Sequence, residues 1–122
     1  MHESGENYLE TILILKTKKA KVRSVDIARE LGYSKASVSY GIALLKQEGC
    51  VTVKKGGSVE LTEKGHEIAQ RIYERHQTLT SFFEIYAKVP RSVAEKDACK
   101  VEHILSEDTY QGLKKTVGSL LL

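Results

Sequence analysis

The chain has 122 residues, 41% hydrophobic and 29% charged, with a net charge of only +3. That is enough for one core, or for two small layers sharing one, and a single proline with no low-complexity tract argues against a disordered linker. The longest apolar run near the start, Ile12 to Leu15, is far too short for a bilayer and lacks the flanks of a signal peptide, so no membrane is expected as a partner and a cytoplasmic protein with reduced Cys50 and Cys99 is expected.

The spacing of Tyr8, Leu9, Ile12, Leu13 and Leu15 predicts a helix over Glu6–Lys16, capped by Ser4 or Gly5. A basic loop, Lys16–Arg23, follows. Ser24 is then expected to cap a short helix, Val25–Leu31, which Gly32 would end by taking the left-handed conformation. Ser34 would cap the next helix, Lys35–Glu48, with Val38, Ile42 and Leu45 inward. Cys50–Val53 and Ser58–Leu61 are β-branched and separated by Lys54-Lys55-Gly56-Gly57, which reads as a hairpin with a basic tip. Thr62 is placed to cap a long helix to about Lys88. Pro90 breaks the chain, and Ser92 with Glu95 has the spacing of a capping box for a helix to about Leu105. Ser106 would cap a last helix, softened by Gly112 and Gly118.

Charge is uneven along this order. Residues 14–55 hold ten Lys or Arg against three acids, whereas residues 62–122 hold nine of each. A basic half suits an anionic polymer, although a solvated basic surface gives the same count. Helix, turn, helix and hairpin within about forty residues is the plan of a winged helix-turn-helix. The expected fold is therefore mainly α: a winged helix-turn-helix domain with a small β-hairpin wing over 1–62, and a helical domain over 63–122 joined through the long helix. In such a reader the second helix enters the major groove by its N-terminal residues. Here these are Ser34, Lys35, Ala36, Ser37, Ser39 and Tyr40, small or polar groups that allow close approach, while Lys54 and Lys55 on the wing would meet phosphates.

A second constellation carries chemistry of another kind. Cys99, Glu102 and His103 stand at i, i+3 and i+4 on the helix expected to reach Leu105, so a thiolate, a carboxylate and an imidazole would converge. Such a trio suits Fe(II), Co(II), Ni(II) or Zn(II) rather than Mg(II). Three ligands from one helix leave positions open, which His76 and either Glu10 or Asn7 could fill. Read from residues alone, Cys99 could equally be a small buried hydrophobe beside a surface Glu–His pair.

The whole set resembles the diphtheria toxin repressor family of iron- and manganese-dependent regulators, which includes the manganese transport repressors. The marks are Asn7-Tyr8-Leu9-Glu10-Thr11-Ile12, Val25-Asp26-Ile27-Ala28, Ser34-x-x-Ser37-Val38, Leu61-Thr62-x-Lys64-Gly65, Arg75-His76 and Cys99-x-x-Glu102-His103. The resemblance implies a homodimer that binds a palindromic operator in double-stranded DNA when Fe(II) or Mn(II) is plentiful, and represses metal-homeostasis genes. It implies metal ligands at Glu10, His76, Cys99, Glu102 and His103, with Asn7 as a further candidate. Cys99 matches the iron-type members and Glu10 the manganese type, whereas Asn7 matches neither. Thr80 and Glu95 stand where iron-type members carry a Glu and a His of an ancillary site, which argues against that second site here. The third, SH3-like domain of longer members has no counterpart in these residues. The apolar end Leu120-Leu121-Leu122 is expected either to pack at a dimer interface or to be a truncation. Dimerisation would use Val101, Ile104, Leu105, Leu113, Val117 and Leu120. Three rivals stay open: a winged-helix regulator answering to a small organic ligand or to none, a small metalloenzyme, and a pure protein-interaction module.

Overall fold

The computed structural model of the chain describes residues 3–121, with side chains as far as residue 118. Two compact units form, residues 1–70 and 71–122.

The first unit is built on the helix α1 (Glu3–Lys16), whose Tyr8, Leu9, Ile12 and Leu15 are buried at helical spacing. Against it lie α2 (Ser24–Leu31) and α3 (Lys35–Gln47), which supply Ile27, Ala28, Val38, Ile42 and Leu45 to the same core. Complete burial of a side chain such as Leu9 or Ile12 contributes about 1.5–3 kcal/mol. The helix α2 starts one residue earlier than Ser24 as cap would allow. Arg23 is the N-cap, and its N–H donates to Asp26 Oδ2 at 2.9 Å. Gly32 ends α2 with φ +70°, and Ser34 caps α3 by accepting from the Ser37 N–H at 3.1 Å. Inside α3, a Cβ on Gly41 would sit 2.1 Å from the Tyr8 ring, so only glycine lets α3 lie this close to α1.

The hairpin pairs β1 (Val51–Val53) with β2 (Val59–Leu61), with Thr52 opposite Glu60, and its tip turns through Gly56 and Gly57 at positive φ. The loop before α2 joins it, since the Val59 N–H donates to Val22 O at 2.7 Å.

Asp26 also accepts from Lys19 Nζ at 2.5 Å. That bond first, and the Arg23 N–H second, hold its carboxyl below the ordinary carboxylate range. A depressed folded-state pKa stabilises the fold above the unfolded value and loses that contribution as pH falls through the folded one. Asp26→Ala is therefore expected to cost about 1 kcal/mol at neutral pH, and the difference from wild type should shrink as pH falls below about 4. Urea unfolding across that range measures it.

The helix α4 (Glu63–Phe82) runs from the first unit into the second. The α-helix ends short of Lys88: a wider π-helical turn takes over at Phe83–Ala87, where Phe82 packs on Phe83 and Tyr86, and Lys88 closes it at φ +55°. The helix α5 (Arg91–Val101) begins directly after Pro90, whose carbonyl accepts from Val93 and Ala94. The expected Ser92–Glu95 capping box does not form, because the helix is already under way at Ser92, and Glu95 instead pairs with Arg91 Nε at 3.2 Å. It also stops four residues before Leu105. Ser106 caps α6 (Glu107–Leu121) as expected, and neither Gly112 nor Gly118 interrupts it, with Tyr110 and Val117 anchoring one face. Of the proposed dimer residues, Val117 is buried within the chain and Ile104 is 77% exposed, while the Leu120 side chain lies outside the described residues. Among the described residues no helix is long and apolar enough to cross a membrane.

Candidate DNA-reading surface and metal centre

In the first unit the expected reading residues share one character: Ser34, Lys35, Ala36, Ser37, Ser39 and Tyr40 are all exposed, while Val38 between them is buried. Tyr40 projects furthest, at 69% exposure. Ser34 and Ser37 are tied together, because Ser34 Oγ donates to Ser37 Oγ at 2.9 Å as well as capping the helix. On the wing both Lys54 and Lys55 are exposed. Lys54 pairs with Glu60 Oε2 at 3.3 Å, and Lys16 reaches the other oxygen of the same carboxylate at 3.4 Å. Their bonds, Lys54 first, keep the Glu60 carboxyl ionised below its ordinary range.

Thr62 caps α4 as expected, accepting from the Gly65 N–H at 3.1 Å, and with Lys64 it also fastens the far end of the reading helix. A helix C-terminus leaves carbonyls unsatisfied. Lys64 Nζ donates to Glu48 O at 2.9 Å, Thr62 Oγ1 to Gly49 O at 2.6 Å and Thr62 N to Cys50 O at 3.0 Å. The stretch Thr62-x-Lys64-Gly65 thus clamps the end of α3 to the first turn of α4. Cys50 is fully buried there and its thiol is pushed up by burial, so it behaves as a small inert hydrophobe. Glu10 and Asn7 lie one turn apart on α1, Glu10 buried and Asn7 half-buried.

In the second unit the buried residues of α5 are Ala94 and Ala98, and the C-cap Glu102, four residues on, continues their line. Glu102 has no exposed surface, and both carboxylate oxygens face imidazoles: His76 Nδ1 lies 2.9 Å from Oε2, and His103 Nε2 lies 3.3 Å from Oε1. Three of the expected ligands are therefore gathered. Cys99 stays outside this cluster. It is exposed, one position off the buried stripe, and the helix needed to carry 99, 102 and 103 on one face ends at Val101. Next to His76, the buried Arg75 spans the turn after α5. Its Nη1 donates to Glu102 O at 3.2 Å and to Leu105 O at 2.7 Å, and its Nη2 to Glu107 Oε2 at 2.7 Å. Glu107 is held below its ordinary range by the Gln111 amide first and by Arg75 second.

A buried carboxylate is costly unless paired. A buried carboxylate beside an imidazole, as in Glu102 and His76, is a donor pair that fits a divalent transition ion, since nitrogen and oxygen ligands of this kind suit Mn(II), Fe(II) and Zn(II).

Comparison with known proteins agrees with both halves. Residues 1–59 match the family described as iron dependent repressor, N-terminal DNA binding domain, and residues 62–121 match iron dependent repressor, metal binding and dimerisation domain. An uncharacterised HTH-type transcriptional regulator of Methanocaldococcus jannaschii is 31% identical over 115 residues, 93% of this chain and 92% of that protein. The transcriptional regulator MntR of Escherichia coli O6:H1 is 31% identical over 109 residues, 89% of this chain and 70% of that one. The solved structure of the manganese regulator SloR is similar with a TM-score of 0.85 and 25% identity, over 93% of this chain. This chain spans 53% of that structure, about half its length.

Proposed function

Because the chain belongs to the iron-dependent repressor family, we propose that it represses metal-homeostasis genes by binding a palindromic operator as a homodimer when loaded with Fe(II) or Mn(II). Membership makes it a metal-dependent transcriptional regulator and not an enzyme, which removes the metalloenzyme reading. It works, on this reading, in the cytoplasm.

The observation that carries the proposal is the buried Glu102 carboxylate between His76 and His103. His76 and Glu102 would hold the ion, with Glu10, His103, Asn7 and Cys99 as the further proposed ligands. Bound there, a divalent ion supplies the positive charge that lets clustered carboxylates and imidazoles share one site. Metal analysis of protein purified without chelator separates this from a regulator of an organic ligand: about one equivalent of Mn or Fe per chain supports it, and metal-free protein that binds operator fully rejects it.

On the DNA side, Ser34, Lys35, Ala36, Ser37, Ser39 and Tyr40 are the proposed groove contacts, with Lys54 and Lys55 on phosphates. Replacing both lysines by alanine is expected to lower the log–log salt slope of operator binding by about 1.8 per subunit, at about 0.9 per phosphate contact. An unchanged slope would show that the wing does not touch the backbone.

A further inference from the structure

We propose that Arg75 is a positioning residue of the metal centre: its guanidinium holds the turn after α5 and so presents the Glu102 carboxylate to His76. The inference rests on the metal reading above.

Helix α5 stops at Val101, and the chain reverses through Glu102, His103 and Ile104 before α6 begins at Glu107. Arg75 donates to the two carbonyls that bracket this reversal, those of Glu102 and Leu105. Its other arm reaches the Glu107 carboxylate in the first turn of α6. Its guanidinium carbon lies 5.0 Å from the centre of the Tyr110 ring, further along α6, and both residues are buried. One planar cation thus joins the end of one helix to the start of the next.

Glu102 is bonded at both of its ends. Its backbone carbonyl accepts from Arg75, and its carboxylate is hydrogen-bonded to His76 at 2.9 Å and lies 3.3 Å from His103 Nε2. Pinning the carbonyl fixes the backbone of the turn, and the side chain is left directed at the imidazoles. Arg75 precedes His76 on α4, so the residue that holds the turn and the residue that receives the carboxylate move together. Positive charge alone does not explain the arrangement. A lysine ammonium is a point charge without a planar fork, and it cannot span two carbonyls and a carboxylate in this way. Groups that orient a ligand from behind typically change metal affinity about 10–100-fold when removed.

The test compares the full chain as wild type, Arg75→Lys and Glu107→Gln, all without DNA. It measures Mn(II) affinity, the visible absorption bands of the Co(II)-substituted protein, and thermal unfolding without metal. Arg75→Lys is expected to bind Mn(II) about 10–100-fold more weakly and to shift the Co(II) bands, even where its melting temperature stays near wild type. Glu107→Gln, which removes only one arm on an exposed side chain, should show the same changes to a smaller extent. Wild-type affinity and unchanged Co(II) bands in Arg75→Lys would overturn the assignment. So would weaker binding that merely tracks lost stability with the bands unmoved. If Arg75→Lys does not fold, unchanged affinity and bands in Glu107→Gln overturn it instead. A wild-type chain that binds neither ion would remove the metal reading itself, which is a separate result.

Discussion

Glu102→Gln is expected to abolish metal-dependent operator binding while leaving the chain folded. Glutamine has nearly the same shape, so the space at the end of α5 stays filled and the backbone carbonyl can still accept from Arg75. What disappears is the negative charge, and with it a carboxylate that meets both His76 and His103. A neutral amide in that place is a poor ligand for a divalent ion. Coupling between an effector site and a ligand site is typically about 1–3 kcal/mol, or a 5–150-fold change in affinity. The whole of that response should vanish, so operator isotherms of the variant with and without Mn(II) should coincide. Circular dichroism checks that the helices remain. A variant that keeps the full wild-type response would show that the ion is held elsewhere.

The second large effect is structural. Gly65→Ala should destabilise the first unit by about 3 kcal/mol and lower the melting temperature by about 10 °C. A Cβ at Gly65 would lie 2.0 Å from Cys50 O and 2.9 Å from its carbonyl carbon. Those are backbone atoms at the start of β1, held in turn by the Thr62 N–H, and they cannot rotate away as a flexible side chain could. Either α4 lifts from the hairpin or the clamp on the end of α3 opens, and both disturb the reading helix. Gly112→Ala is the control. Nothing lies within 4 Å of a Cβ there, and in a helix interior alanine is favoured by about 0.5–1 kcal/mol. Equal melting temperatures for Gly65→Ala and wild type would refute the close approach.

Local chemistry was the part of this fold most open to sequence reasoning. Ser34 and Ser106 cap because a hydroxyl before a helix meets an otherwise unpaired N–H three residues on. Gly32 and the Gly56–Gly57 tip take positive φ because little else does so without strain. The Ser92–Glu95 pair misled for a related reason: its spacing is right for a cap, but Pro90 starts the helix first. Cys99 shows how much a helix boundary matters. Its alignment with Glu102 and His103 assumed four more residues of helix, and a small shift in a helix end redirects every side chain beyond it. Arg75 and the Thr62–Lys64 clamp act on carbonyls 13 to 30 residues away in the chain, and no periodicity announces such partners. The His76–Glu102 meeting, 26 residues apart, follows from no periodicity: His76 entered as one of several residues that could fill an open position, and the family resemblance then singled it out.

The central claim is that a bound ion governs DNA affinity. Its most direct test is one titration, made with chelator-stripped protein and again with Mn(II) or Fe(II) under reducing conditions, on a single palindromic operator at fixed salt. The account predicts that the loaded form binds about 5–150-fold more tightly, with two chains on each duplex. Equal affinity for the stripped and loaded forms would contradict it.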